Sequence, residues 1–240
     1  MTNLLCRTIA FDADDTLWHN EVVYAQAKER FADIMRRYVP AQDARDGLDE
    51  AEIANIELLG YGIKSFTLSM IEIALKLSEE RLRGEDLQRI LTLSRDMHAE
   101  QPVLVDHVEM VLKQLSKKDQ LIMITKGDLV EQQRKIHASG LRDFFQAIEI
   151  VPEKDESTYR DILFRHQISS GQFWMVGNSL RSDILPVVAI GSRAVYIPNA
   201  SAWDHENAVH DQHADFLTLD KLDQLPALLE AIDADDEASG

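Results

Sequence analysis

Three aspartates crowd the end of the first apolar run of this 240-residue chain. The stretch TIAFDADDT places Asp12, Asp14 and Asp15 within four positions, directly after residues 8–11. Carboxylates this close repel one another unless a cation compensates their charge, and oxygen ligands suit a hard ion such as Mg²⁺. Aspartate also favours turns and helix caps. The stretch therefore predicts either a magnesium site or a purely local turn or cap.

Polar side chains of matching chemistry follow three further apolar runs. Thr125 ends one run and Lys126 follows it, and they offer a hydroxyl and an ammonium to a phosphate. Lys154 follows the next run, and Asn178 and Asp183 follow the one after that. Each residue alone also fits a strand-ending turn or a solvated surface. Their recurrence after successive runs predicts one site for a phosphate group and a cation.

The elements that must position these residues alternate along the chain. Short apolar runs bounded by polar residues predict buried strands at 8–11, 121–125, 147–151, 173–177 and 194–197. Amphipathic stretches between them predict helices at 106–117, 129–139, 157–166 and 182–190. Such alternation is typical of an α/β, Rossmann-like parallel sheet with helices on both faces. In that architecture ligands collect at the carboxyl ends of the strands, where the polar residues stand.

One segment interrupts the alternation. Residues 21–98 carry helical patterning and no strand signal, and Pro102 disfavours helix in the residue before it. We therefore expect an inserted α-helical cap at 21–98, and a Rossmann-like catalytic core at 1–20 and 99–240. The cap is expected to move against the core about hinges at 18–21 and 101–103.

Composition narrows the class of protein. With 45% hydrophobic residues, the chain can bury one core and a smaller module. A net charge of −17 disfavours nucleic acid and anionic membranes as partners, because an acidic field repels polyanions. No leader pattern and no spanning run of about 18 apolar residues is visible. We expect a cytoplasmic monomer or homodimer, in which the single cysteine, Cys6, is a buried small hydrophobe.

Four motifs together resemble those of the haloacid dehalogenase-like hydrolase superfamily. They are FDADDT, LIMITK, Lys154 and GNSLRSD, in that order along the chain. The helical insert after the first motif is similar to that of the subclass with an α-helical cap. The resemblance implies a Mg²⁺-dependent phosphatase acting on a small phosphorylated metabolite.

The resemblance also implies a role for each matching residue. Asp12 matches the nucleophile that forms an aspartyl-phosphate, and Asp14 matches the general acid/base. The Asp12 side chain and the Asp14 backbone carbonyl would face the metal, where Asp183 matches an acidic ligand. Thr125 and Lys154 match the phosphate-binding pair, with Lys154 also paired to the nucleophile.

Two features of the motifs bear on the reaction. Asn178 stands where the family pattern has aspartate, so the metal site has one negative charge fewer and a weaker amide ligand. A non-catalytic phosphate-binding or partner-binding homologue is therefore an alternative. Asp14 favours a phosphatase over a dehalogenase, because a halide leaving group needs no proton donor and an alkoxide does. A phosphomutase would use the same groups, so the motifs leave it as an alternative.

Substrate recognition is expected from the cap. The loop LLGYGIKSF offers Tyr61 to stack on a ring and Lys64 to meet an anion, although a plain interhelical turn is the alternative. Trp203 and His205 are second candidates at the rim of the site, with a simple surface role as their alternative. The motifs do not rank the possible phosphorylated metabolites.

Overall fold

The structure is a computed structural model that describes residues 7–199 and 215–239. Cys6, Trp203 and His205 lie outside the described residues. The strands are β1 (Thr8–Phe11), β2 (Trp18–His19), β3 (Val103–Leu104), β4 (Gln120–Lys126), β5 (Ala147–Val151), β6 (Phe173–Gly177), β7 (Arg193–Tyr196) and β8 (Leu217–Thr218). The α-helices are α1 (Glu21–Met35), α2 (Ala41–Leu59), α3 (Ile63–Leu77), α4 (Gly84–Ala99), α5 (Val108–Leu115), α6 (Leu129–Ser139), α7 (Glu156–His166), α8 (Leu185–Ala189) and α9 (Leu225–Ser239).

Six strands form one parallel sheet in the order β5-β4-β1-β6-β7-β8. Alternate residues of β1 enter the hydrophobic clusters on opposite faces: Ile9 and Phe11 pack with α5 and α9, and Ala10 packs with α7 and α8. Both faces are thus covered by helices, as the strand-helix alternation predicts. The α/β fold class is confirmed, and β1 lies between β4 and β6, so three motifs end at one edge.

Helices α1 to α4 form the insertion between β2 and β3. They bury a hydrophobic core of their own, which includes Phe31, Leu48, Phe66 and Met70. The chain leaves and re-enters the core through the antiparallel pair β2–β3, which joins Trp18 to Leu104 and His19 to Val103. This ribbon occupies the expected hinge positions. The domain boundaries and the cap movement stay predictions.

The sequence pattern missed the shortest strands and the last helix. β2, β3 and β8 have two residues each, too few to show an alternation of buried and exposed positions. The helix predicted at 182–190 begins instead as a π-helical turn over Leu180–Ile184 and continues as α8. No helix among the described residues combines the length and apolar character needed to cross a membrane.

Candidate active site

Asp12, Lys154 and Asp183 form a buried cluster at the carboxyl edge of the sheet. The Asp12 N–H donates to the carbonyl of Val176 on β6 at 2.9 Å, which fixes the backbone just beyond β1. Lys154 Nζ donates to Asp12 Oδ1 and, at 2.7 Å, to Asp183 Oδ1. Its side chain is only 1% exposed. The ammonium therefore bridges two carboxylates that would otherwise repel each other.

Burial sets the charge states of this cluster. It raises the pKa of Asp12 to about 7, with the charges of Asp183 and Asp14 adding to the rise and Lys154 opposing it. Burial acts to lower the pKa of Lys154, but the carboxylates of Asp12 and Asp183 outweigh it and raise that pKa. Lys154 thus stays charged, and a further cation beside Asp12 would lower the pKa of Asp12.

The π-helical turn places Asp183 in this cluster. The Ser179 N–H donates to Asp183 Oδ2 at 3.0 Å, and the Asp183 N–H donates to the Ser179 carbonyl at 2.8 Å. A Cβ on Gly177 would lie 2.3 Å from Asp183 Oδ2, so only glycine leaves room for this carboxylate. Asn178 lies between them in sequence, and its Oδ1 accepts a 3.2 Å bond from the Thr16 hydroxyl. Close packing against Asp183 therefore explains why position 177, the first residue of GNSLRSD, is glycine.

The Asp14 carboxylate is held by three side chains that sequence reasoning missed. Lys135 Nζ lies 2.7 and 2.8 Å from its two oxygens, Trp18 Nε1–H donates to Oδ1 at 2.6 Å, and Gln132 Nε2 donates to Oδ2 at 2.9 Å. Gln132 and Lys135 are three residues apart on α6 and so share one helical face. Two polar residues at that spacing on a core helix are the only signal that the sequence offers.

Gln132 also ties Asp14 to the end of β4. Its Nε2 lies 2.9 Å from Thr125 Oγ1 and 2.8 Å from the Lys126 carbonyl. Because the same nitrogen contacts Asp14 and Thr125, the predicted acid/base and the predicted phosphate-binding hydroxyl are neighbours. The Gly127 N–H donates to the Val151 carbonyl at 3.2 Å, so this amide is already used within the core.

Asp15 takes the local role that the crowded aspartates also allowed. Its carboxylate accepts bonds from the backbone N–H groups of Asn20 at 3.0 Å and Glu21 at 3.1 Å, at the start of α1. Burial is the main reason why the pKa of Asp15 is raised. Its φ of 63° makes the tight turn that separates it from Asp14. All three aspartates thus line the cavity, and Asp15 also caps the first helix of the insertion.

The loop between α2 and α3 contacts the core on both sides. Tyr61 places its ring 4.2 Å from Lys126 Nζ and its hydroxyl 3.3 Å from Glu153 Oε2. Lys64 Nζ binds both oxygens of Asp128 at 3.0 and 2.9 Å. Tyr61 and Lys126 line the cavity between cap and core, whereas Lys64 does not. The loop is therefore docked on the core, and the predicted substrate contact of Lys64 has no geometric support here.

The cap side of the cavity is polar and aromatic. Glu21, Tyr24, Lys28, Glu52 and Phe66 line it opposite the strand ends. Burial raises the pKa of Glu21 to about 8, and the neighbouring Asp15 charge adds to this rise. This end of the cavity is therefore suited to the organic part of a ligand whose phosphate lies at the sheet edge.

The oxygen donors at the sheet edge fit a hard cation. Asp12, Asn178 and Asp183 line the same cavity and offer two carboxylates and one amide. The Asp14 side chain is engaged with Lys135, which leaves its backbone carbonyl as the group for a metal. Among the described residues no cluster of three or more His, Cys, Asp or Glu side chains is suited to a metal ion. Asn178 contributes a neutral amide to this donor set, which therefore carries one negative charge fewer than three carboxylates would.

Comparison with known proteins places this geometry in a family. The model of the haloacid dehalogenase-like hydrolases matches residues 6–191. A solved structure of a haloacid dehalogenase-like family hydrolase from Xanthomonas campestris is 34% identical, with a TM-score of 0.87, covering 100% of this chain and 97% of that one. The magnesium-bound HAD hydrolase YfnB from Bacillus subtilis is 17% identical, with a TM-score of 0.64, and the match covers 93% of this chain and 98% of that one.

A curated enzyme matches a smaller part of the chain. N-acylneuraminate-9-phosphatase of Mus musculus is 30% identical over 136 residues, which are 55% of this chain and 54% of that protein. The chain thus spans about half the length of the curated relative it matches. The family model and the full-length Xanthomonas likeness extend much further. On that evidence, the chain belongs to the haloacid dehalogenase-like hydrolases.

Proposed function

We propose that this hydrolase is a Mg²⁺-dependent phosphatase that cleaves a small phosphomonoester through an aspartyl-phosphate on Asp12. The observation that carries the proposal is the state of the Asp12 carboxylate. Its Oδ1 is held by Lys154, and no described residue donates to its Oδ2. One oxygen is thus fixed while the other is left to attack phosphorus in the cavity.

The first step transfers the phosphoryl group to Asp12. The Thr125 hydroxyl and the Lys154 ammonium hold the phosphoryl oxygens, and an Asp12 oxygen forms the new bond to phosphorus as the ester bond breaks. Asp14 gives its proton to the departing alkoxide, which leaves as the alcohol. Mg²⁺, held by Asp12, Asn178, Asp183 and the Asp14 carbonyl, would neutralise charge between the carboxylate and the phosphate.

The second step returns Asp12 to its starting state. Asp14, now a carboxylate, takes a proton from a water molecule as that water attacks phosphorus. The bond between phosphorus and Asp12 breaks, and inorganic phosphate leaves with the oxygen of water. Asp14 ends this step protonated and ready for the next ester. The proton given in the first step is thus regained in the second.

The presence of Asp14 supports phosphate esters over haloacids as substrates, because only an alkoxide needs the proton. The likeness to N-acylneuraminate-9-phosphatase points the same way. We propose a small phosphorylated metabolite whose organic part lies against the cap side of the cavity. A phosphomutase would differ only in passing the phosphoryl group to a sugar instead of to water.

The proposal is tested with 4-nitrophenyl phosphate. We expect turnover that requires Mg²⁺ and that stops when a chelator removes the ion. A panel of nucleoside monophosphates, sugar phosphates and phosphoglycolate then identifies the substrate by phosphate release. Absence of metal-dependent turnover on every ester would contradict the proposal and favour a non-catalytic phosphate-binding role.

Asn178→Asp should tighten Mg²⁺ binding. The substitution adds a negative charge beside a divalent ion and keeps an oxygen that the Thr16 hydroxyl can reach. We expect the Mg²⁺ concentration for half-maximal activity to fall about tenfold, which corresponds to about 1.4 kcal/mol in the free energy of Mg²⁺ binding. Gln133→Glu, on the exposed side of α6, adds the same charge outside the cavity and serves as the control. Equal Mg²⁺ midpoints in both variants would mean that residue 178 contacts neither the ion nor its waters.

A further inference from the structure

Helix α6 connects the cap to Asp14 through two buried side chains. The N–H of Ile63, at the start of cap helix α3, donates to Glu131 Oε2 at 2.8 Å. Glu131 Oε1 lies 3.4 Å from Lys135 Nζ, and that nitrogen contacts both oxygens of Asp14. The side chains of Glu131 and Lys135 are 3% and 10% exposed. An unbroken set of polar contacts therefore runs from the cap backbone to the predicted acid/base.

Glu131 supplies the cap that helix α3 lacks. The residue before α3 is Gly62, which has no side chain to accept from the first N–H groups of the helix. Glu131 fills this place from the core, where its negative charge also favours a helix N-terminus. A Cβ on Gly62 would lie 2.9 Å from Glu131 Oε2, and the φ of Gly62 is +116°. The conformation of Gly62 therefore allows the start of α3 to approach the Glu131 carboxylate closely.

Glu131 and Asp14 compete for the ammonium of Lys135. With the cap seated, its two oxygens are shared between the Ile63 N–H and Lys135, and Lys135 lies closer to Asp14 than to Glu131. If the cap withdraws, Glu131 becomes a buried carboxylate with one donor fewer, which is costly. Moving Lys135 towards Glu131 would offset that loss. The same move takes the ammonium away from Asp14.

We propose that Glu131 and Lys135 are positioning residues that place Asp14 for proton transfer only while the cap is seated. The inference rests on the proposed function, because it concerns how the acid/base of that reaction is held. Gln132 binds Asp14 from core helix α6, so it holds Asp14 in either cap position. The exposed pair of Lys64 and Asp128 beside Glu131 adds little energy and serves at most to guide the loop.

The test compares two esters that differ in their need for a proton. Glycerol 2-phosphate has an alkoxide leaving group and depends on Asp14, whereas 4-nitrophenyl phosphate depends on it much less. In Lys135→Met we expect the ratio of kcat/KM for the alkyl ester to that for the aryl ester to fall about tenfold or more. Lys135→Arg keeps the cation and should restore most of the ratio. Lys113→Met, an exposed position on α5, makes the same chemical change elsewhere and should leave the ratio unchanged.

A second pair of variants tests the link to the cap. Ile63→Pro removes the N–H that Glu131 accepts, and proline is tolerated at the first position of a helix. Ile63→Ala loses a buried side chain as well but keeps the N–H. We expect the alkyl-to-aryl ratio to fall in Ile63→Pro, as in Lys135→Met, and to stay near the unaltered value in Ile63→Ala. Ile63 contacts Glu131 and not Asp14, so a plain packing defect at this position would lower kcat/KM for both esters alike.

The outcomes separate this inference from the proposed function. Absence of turnover of 4-nitrophenyl phosphate by the unaltered chain would overturn both. If the unaltered chain is active and Lys135→Met lowers kcat/KM equally for both esters, only the positioning role is overturned. Equal ratios in Ile63→Pro and Ile63→Ala would overturn the coupling to the cap. If Lys135→Met fails to fold, as judged by circular dichroism, the Ile63 pair and Lys135→Arg still decide the question.

Discussion

We expect Asp12→Asn to abolish hydrolysis of every phosphate ester while the chain stays folded. The amide is nearly isosteric with the carboxylate but is a poor nucleophile, so no aspartyl-phosphate forms. Lys154 keeps Asp183 as a partner, so the ammonium is not left unpaired. Phosphate release should fall to the rate without enzyme for both aryl and alkyl esters. Asp161→Asn, on the exposed side of α7, removes the same charge and should keep full activity.

The same variant should be as stable as the unaltered chain or more so. Burial raises the pKa of Asp12 from 3.8 to about 7 in the folded protein, so its ionisation costs stability as pH rises from about 4 to 7. A neutral amide at position 12 escapes this cost. Thermal unfolding at pH 8 without Mg²⁺ should show an equal or higher Tm. Retained turnover would contradict the assignment of Asp12 as the nucleophile, and a large fall in Tm would contradict the stability cost of its ionisation.

The placement of the motif residues follows from sequence for a simple reason. In a parallel sheet, consecutive strands end at the same edge, so residues at the carboxyl ends of β1, β4 and β6 must meet. Asp12, Thr125 and Asn178 stand at those ends and line one cavity. The strands themselves are readable because they are buried on both faces and bounded by polar residues. Locating a site at the strand ends therefore required no knowledge of side-chain geometry.

The contacts of Asp14 could not be foreseen in the same way. Lys135 and Gln132 reach it because α6 packs against the core with one particular face, and that rotation is set by tertiary contacts of residues such as Ile136. Because lysine is exposed in most proteins, the sequence alone predicts that a helical lysine such as Lys135 is solvated. Lys64 illustrates the reverse, since a residue expected to meet a ligand is paired with Asp128. Helix rotation and loop docking are long-range outcomes that local patterns do not encode.

Asp14→Asn should separate proton transfer from nucleophilic attack. Loss of the acid/base should lower turnover of an alkyl phosphate by about 10²- to 10⁴-fold, the range that general acid–base catalysis contributes. An aryl ester with a good leaving group needs little protonation in the first step, so it should still phosphorylate Asp12. Hydrolysis of the aspartyl-phosphate should be slow, because no carboxylate takes the proton from water.

Rapid-quench kinetics with 4-nitrophenyl phosphate should then show a burst in Asp14→Asn. Near-stoichiometric nitrophenolate release would be followed by slow turnover, whereas Asp12→Asn would give no burst because it lacks the group that is phosphorylated. The amide at position 14 still accepts from Trp18 and Lys135 through its oxygen, and only the bonds that Oδ2 accepts from Gln132 and Lys135 are lost. Equal absence of a burst in both variants would mean that Asp14 serves the fold or the metal and not the proton. The two aspartates would then have to share one role, although Lys154 holds one and Lys135 the other.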